Sequence, residues 1–122
     1  MWYIIPMNAE YEVELLESAR TFIDGLKPKM QNKALRAVAL LERFGFRLTE
    51  PDAKALQNAD GLKELRIQFA SDICRLFYFH YRDKLYVVTS GYIKKEQKTK
   101  RSEIERALKI MRQYIQERGN HD

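Results

Sequence analysis

The sequence is poor in the residues that the commonest catalytic devices need. Its 122 residues include one cysteine, Cys74, two histidines, His80 and His121, five glycines and three prolines. A single cysteine allows no intramolecular disulfide, and with only two histidines it supplies no plausible zinc set, so no metal is expected. The glycines form neither GxGxxG nor GxxxxGK[ST], and neither GxSxG nor a Cys/His nucleophile pattern occurs. Dinucleotide, NTPase and hydrolase-triad readings therefore lose their basis, and no small-molecule cofactor is expected. Cys74 sits among apolar residues with Arg75 the one neighbour able to lower its pKa, so it reads as a small core residue. No apolar run approaches the roughly 20 residues that span a bilayer. The opening MWYIIPM lacks the basic and long apolar regions of a secretory signal, so the chain reads as cytoplasmic and off the membrane.

What the chain does have is apolar residues, at 45% hydrophobic, and an uneven distribution of charge. The length and apolar content suit one domain over residues 1–122, with a core that needs no staples. The net charge is +5. Residues 1–60 carry 8 Lys+Arg against 9 Asp+Glu, residues 61–101 carry 10 against 4, and residues 102–122 carry 4 against 4. The excess lies in the middle third, and a localised basic region points to an anionic partner such as nucleic acid. A solvated lysine-rich edge would have the same composition.

From Glu10 to Leu15 acidic and apolar residues alternate with the period of a strand that has one face on the core. Trp2 to Ile5 is an apolar lead-in or an extension of that strand. Ser18 is placed to cap a short helix bearing Ala19, Phe22, Ile23 and Leu26, with Gly25 near its end. Pro28 opens a second helix, whose stripe of Met30, Ala34, Val38 and Leu41 ends at Gly45. The stretch to Gly61 reads as loop with a helical turn near Ala53 to Leu56. Leu65, Ile67 and Phe69 then alternate with Glu64, Arg66 and Gln68. Turns at Ala70 to Asp72 and at Arg82 and Asp83 separate two further strands, Ile73 to Tyr81 and Leu85 to Ile93. The three read as an antiparallel meander whose second and third strands are apolar on both faces and hence covered by helices or another sheet edge. Ser102 and Glu103 open a last helix with Ile104, Ala107, Leu108, Met111 and Ile115 on one side, and the tail after Gly119 reads as frayed. The expected class is α+β, in the order β-α-α-β-β-β-α, with a small antiparallel sheet, an N-terminal helical hairpin and a C-terminal helix.

The chemistry left to such a chain is cationic. Arg66 and Arg75 interrupt apolar strands, and a guanidinium in a sheet is expensive to desolvate unless it is paired or lines a groove. Glu64, Asp72 or an acid from the first strand could pair with either. Lys94, Lys95, Lys98, Lys100 and Arg101 follow within eight residues, with Glu96 the only acid among them. Phe69, Tyr78, Tyr81, Tyr86 and Tyr92 on the same strands could stack on unpaired bases or belong to the core.

From Leu62 to Leu108 the sequence resembles the second half of HigB-type toxins of the RelE/ParE superfamily, the toxin halves of bacterial type II toxin-antitoxin pairs. The matching pieces are Glu64-Leu65-Arg66, Cys74-Arg75-Leu76-Phe77-Tyr78, Gly91-Tyr92-Ile93-Lys94-Lys95, Lys98-Thr99-Lys100 and Glu103-Ile104-Glu105-Arg106-Ala107. YEVELLESARTFIDGL and LLERFG are similar to that family's opening strand and helical hairpin. The chain departs from the pattern where Ser90 replaces a frequent histidine, Lys100 a proline and Cys74 a tyrosine.

The resemblance implies a RelE-like fold and a metal-independent endoribonuclease that cuts messenger RNA on the ribosome and inhibits translation. In such enzymes the 2′-hydroxyl attacks the adjacent phosphorus while cations stabilise the phosphorane charge. By motif position Arg66 and Arg75 would bind the scissile phosphate, and Lys94 or Lys95 would stabilise charge or carry a proton. Tyr92 is the neutral candidate for acid-base work. Lys63, Lys98, Lys100 and Arg101 would hold the flanking RNA backbone. The implied partner is a cognate antitoxin of helix-turn-helix type. A ParE-like gyrase poison and a non-catalytic RNA-binding module are the competing readings.

Overall fold

The structure is a computed structural model, and it describes residues 9–119. The lead-in at Trp2 to Ile5 and the tail after Gly119 lie outside the described residues. The elements are β1 (Glu12–Leu15), α1 (Glu17–Asp24), α2 (Pro28–Phe44), a 3-10 turn (Gly45–Arg47), β2 (Ala53–Ala55), β3 (Lys63–Phe69), β4 (Asp72–Arg82), β5 (Leu85–Ile93) and α3 (Arg101–Gly119). The strands form one sheet in the order β1-β5-β4-β3-β2.

The meander is present, with β3, β4 and β5 paired antiparallel. The sheet as a whole is mixed, because β1 lies parallel to β5, with Val13 opposite Tyr86 and Leu15 opposite Val88. This corrects the expected antiparallel sheet. Alternation along a strand identifies its buried face but not its neighbour. The helical hairpin after β1 carries the chain across the sheet to β2 and β3, and that leaves the outer edge of β5 to β1. The helical turn expected at Ala53 to Leu56 is instead the edge strand β2, where Ala53, Lys54 and Ala55 pair with Leu65, Glu64 and Lys63. Three residues are too few for periodicity to separate strand from turn.

Both faces of the meander are covered, as its composition demands. On one face Ala19 and Ile23 of α1 and Met30, Ala34, Val38 and Leu41 of α2 pack on Leu65, Ile67, Cys74, Leu76, Tyr78 and Val88. Side chains of this kind each contribute about 1.5–3 kcal/mol when fully buried. Cys74 is fully buried here, and burial pushes its thiol up to about 12 against a smaller opposing pull from Arg75. On the other face Ile104, Ala107, Leu108, Met111 and Tyr114 of α3 cover Phe77, Phe79, Val87 and Tyr92.

Two helix details differ from expectation. Helix α1 starts at Glu17 with Leu16 at its cap position and no side-chain cap. Ser18 instead accepts a hydrogen bond from Arg106 of α3 at 2.7 Å. On α3, which begins at Arg101, Ile115 is 43% exposed and Tyr114 takes the buried place. The Tyr114 hydroxyl donates to Glu14 at 2.8 Å, a partner 100 residues away that makes a polar tip tolerable there.

Gly91 lies where β5 passes beneath α1. A Cβ at this position would stand 2.5 Å from the Phe22 ring and 2.8 Å from a Leu76 methyl carbon. Leu76 is fully buried, so the neighbours have little room to move. Gly91→Ala should therefore lower stability by about 1–3 kcal/mol, read from the denaturant midpoint; an unchanged midpoint would mean that α1 repacks freely.

Candidate functional site

Along β3 the side chains of Leu65 and Ile67 point into the α1/α2 core, so Glu64, Arg66 and Gln68 point to the α3 face. Strand register places Arg66 opposite Arg75, and Arg75 opposite Tyr92. The apolar contacts of α3 reach as far as Phe77 and Tyr92. Beyond them the α3 face opens into a cleft of about 770 Å³ lined by Arg66, Gln68, Arg75, Lys94 and Lys95, with Asp72 and Glu96 as the acids. Lys94 is pinned there because its backbone N–H donates to the Ile73 carbonyl at 2.8 Å, which extends the β4–β5 ladder by one step.

Like charges directly across two strands destabilise a sheet, so the Arg66–Arg75 pair needs an anion. Glu64 supplies one. Its carboxylate is 3% exposed and lies 3.7 Å from Arg75 Nε, and Arg75 itself is 5% exposed. Thr99, on the segment between β5 and α3, donates a hydrogen bond to the other carboxylate oxygen at 2.9 Å. Arg75 Nη1 donates to the Cys74 carbonyl at 3.1 Å, while Nε has no hydrogen bond. At 3.7 Å the pair with Glu64 is electrostatic, and the guanidinium keeps donors for a ligand. Burial lowers the Arg75 pKa, Glu64 opposes that shift, and Arg66 reinforces it. Arg66 makes a more exposed ion pair, 3.5 Å from the carboxylate of Glu50.

The Lys94 pKa is lowered by burial first and then by the charge of Arg75, with further contributions from Arg66 and Lys54. Lys54 is a cation that the sequence reading missed. It is opposite Glu64 on the edge strand, so it belongs to this face. Only recognition of Ala53–Ala55 as a strand would have brought it in.

The other expected residues divide. Arg66, Arg75, Lys94 and Lys95 come together. Tyr92 shares their row, but its ring stacks on Phe77 with centroids 5.6 Å apart and it is buried outside the cleft lining. Burial raises its pKa, offset in part by neighbouring Thr99 and Arg75, and its hydroxyl makes no hydrogen bond of good geometry. Lys63 lies on the opposite side of the strand, in a separate cleft with Tyr11, Phe46, His80 and Tyr86. Lys98 is exposed. Lys100 and Arg101 are engaged by Glu96 and Glu105 in exposed pairs at 4.0 and 2.8 Å, which hold them weakly. Of the aromatic residues, Tyr78 and Tyr86 belong to the α1/α2 core. Among the described residues no group of three or more His, Cys, Asp or Glu is placed to hold a metal ion.

The sequence profile of the phage-derived protein Gp49-like family (DUF891) matches residues 21–112. The chain belongs to that family. This Gp49-like chain has the fold of RelE. It is similar to the E. coli toxin RelE, solved as a double mutant in the free state, at 21% identity over 81% of this chain and 95% of that one, with a TM-score of 0.55. It is also similar to the archaeal RelE of a RelE–RelB complex from Pyrococcus horikoshii OT3, at 16% identity over 70% of this chain and 97% of that one, with a TM-score of 0.53. Among curated proteins none matches.

Removing Glu64 would leave Arg75 buried beside Arg66 without compensation. Glu64→Ala should lower stability by about 3 kcal/mol, the usual loss when one partner of a buried pair is deleted. Glu64→Ala combined with Arg75→Met should recover part of that loss in denaturant unfolding. Simply additive losses would show that the two charges are not coupled.

Proposed function

We propose that the protein is the toxin of a type II toxin-antitoxin pair, a metal-independent endoribonuclease of HigB type that cleaves messenger RNA on the ribosome and blocks translation. The observation that carries this reading is the Arg66–Arg75 row with Lys94 beside it, lining one cleft beyond the contacts of α3, with Arg75 buried at its floor. Two guanidiniums and an ammonium facing one cleft match the charge that gathers on a pentacoordinate phosphate. In the reaction O2′ bonds to phosphorus, the P–O5′ bond breaks, and the 2′-hydroxyl proton passes to water in the open cleft. Arg66 and Arg75 neutralise the non-bridging oxygens. Lys94 protonates the departing O5′, and its lowered pKa suits it to give up that proton. Tyr92, packed against Phe77, supports the row from beneath.

The partner in this reading is a helix-turn-helix antitoxin that covers the cationic cleft. A partner protein is supported by the Pyrococcus horikoshii structure of similar fold, which is a RelE–RelB complex. The withdrawal of Tyr92 from the cleft favours a second reading, an RNA-binding module without cleavage.

Arg66 is the cleaner residue for a test, because its partner Glu50 is exposed and its removal orphans no buried charge. Induction of the wild-type chain should arrest growth with fragmented messenger RNA. Arg66→Ala should cut ribosome-bound message about 10²-fold more slowly, the usual loss of one oxyanion-stabilising donor. Intact message in an arrested culture would overturn the ribonuclease reading. As pH rises, cleavage should decline with a midpoint below the ordinary lysine value of 10.5, because burial and Arg75 already disfavour the Lys94 ammonium. Lys94→Arg should flatten that decline.

A further inference from the structure

Strand β2 pairs only with Lys63–Leu65 of β3, so the edge of β3 from Arg66 onward has little cover. Arg66 N–H still donates across it to the Asp52 carbonyl at 2.9 Å. By the alternation of a β-ladder the Gln68 N–H faces the same edge, beyond the end of β2. On the far side of this edge lies a second cleft, of about 250 Å³, between β3 and α2. Its lining includes Lys33, Arg36, Asp52, Arg66 and Gln68, so Arg66 and Gln68 belong to both clefts. Lys33 and Arg36 are three apart on α2, hence neighbours on one helix face with Cβ atoms about 5–6 Å apart. Both are exposed, and neither forms an ion pair or side-chain hydrogen bond with a described residue. One turn earlier Lys29 lies over the Phe69 ring at 5.6 Å, which extends the cationic face toward the end of β3.

We infer that RNA crosses the open edge of β3, and that Lys33 and Arg36 bind backbone phosphates adjacent to the one held by Arg66 and Arg75. The inference rests on the ribonuclease reading and extends it to a defined path. Continuity through Arg66 favours RNA over a protein segment as the occupant. A strand anchored at Arg66 reaches Lys33 and Arg36 along the cationic surface, and the acids it meets are Asp52 in the cleft and Glu50, the exposed partner that a phosphate at Arg66 would displace. The apolar floor of Ala37 and Leu40 suits the sugar edge of a single strand. Because such contacts are to phosphate, they set affinity and direction without reading sequence.

The test is binding of a single-stranded RNA made uncleavable by a 2′-deoxy substitution at the cut site, in long form and in a form truncated on one side, to wild type and to Lys33→Ala/Arg36→Ala. Wild type should prefer the long RNA. The variant should bind it roughly twentyfold more weakly at 0.1 M salt, with a salt slope lower by about 1.4, for two lost single-strand phosphate contacts. Affinity for the truncated RNA and thermal stability should not change. Equal affinity and slope in wild type and variant would overturn the path while leaving the Arg66–Arg75 reading intact. Loss of antitoxin affinity with unchanged RNA affinity would give the face to the antitoxin and overturn it as well. Failure of wild type to bind either RNA would overturn both.

Discussion

Two arginines stand opposite each other on adjacent strands, and most of the site follows from how the fold tolerates them. Arg75 is buried and Arg66 is partly so, in a position where a sheet ordinarily pairs opposite charges or apolar groups. Glu64 answers only one of them, at a distance too long for a hydrogen bond. The row is therefore left with positive charge and unused donors. A phosphate is the ligand that such a row would hold best, since it brings negative charge and several acceptors together.

The rest of the fold keeps that row both supported and open. Helix α3 buries the apolar part of its sheet face and stops short of Arg75, while Tyr92 and Phe77 form a stacked floor below. The segment between β5 and α3 is tied down by Thr99 on Glu64, so one buried carboxylate steadies Arg75 and also holds the basic segment in place beside it. On the opposite face α1 lies tightly on Gly91, which fixes the end of β5 from which Lys94 emerges. Exposed pairs such as Arg101–Glu105 add little to stability, and they leave their cations free to exchange partners.

Much of this was legible in the sequence. The alternation of Leu65, Ile67 and Phe69 with Glu64, Arg66 and Gln68 put Glu64 and Arg66 on one face of β3, and the stripe of Met30, Ala34, Val38 and Leu41 marked the buried side of α2. The row itself was not legible. Register between strands depends on turn geometry and packing, so nothing in the local pattern said that Arg66, Arg75 and Tyr92 would align, although alternation alone sets Lys63 on the face opposite Arg66. Lys54 was hidden because a three-residue edge strand leaves no periodic trace. The parallel placement of β1 and the Tyr114–Glu14 contact span most of the chain, beyond the reach of any local pattern. Tyr92 is the neutral candidate for proton transfer in the sequence because no clearer acid or base is left, and only its packing on Phe77 shows it withdrawn from the cleft.

The central claim is that this cationic row makes phosphorus susceptible to the neighbouring 2′-hydroxyl without help from a metal. The most direct test is the chemistry of the cut ends, read by mass spectrometry on RNA treated with the purified protein in the presence of a chelator. The account predicts a 2′,3′-cyclic phosphate on one fragment and a 5′-hydroxyl on the other. Fragments ending in 5′-phosphate, or cleavage that stops when the chelator is added, would contradict it.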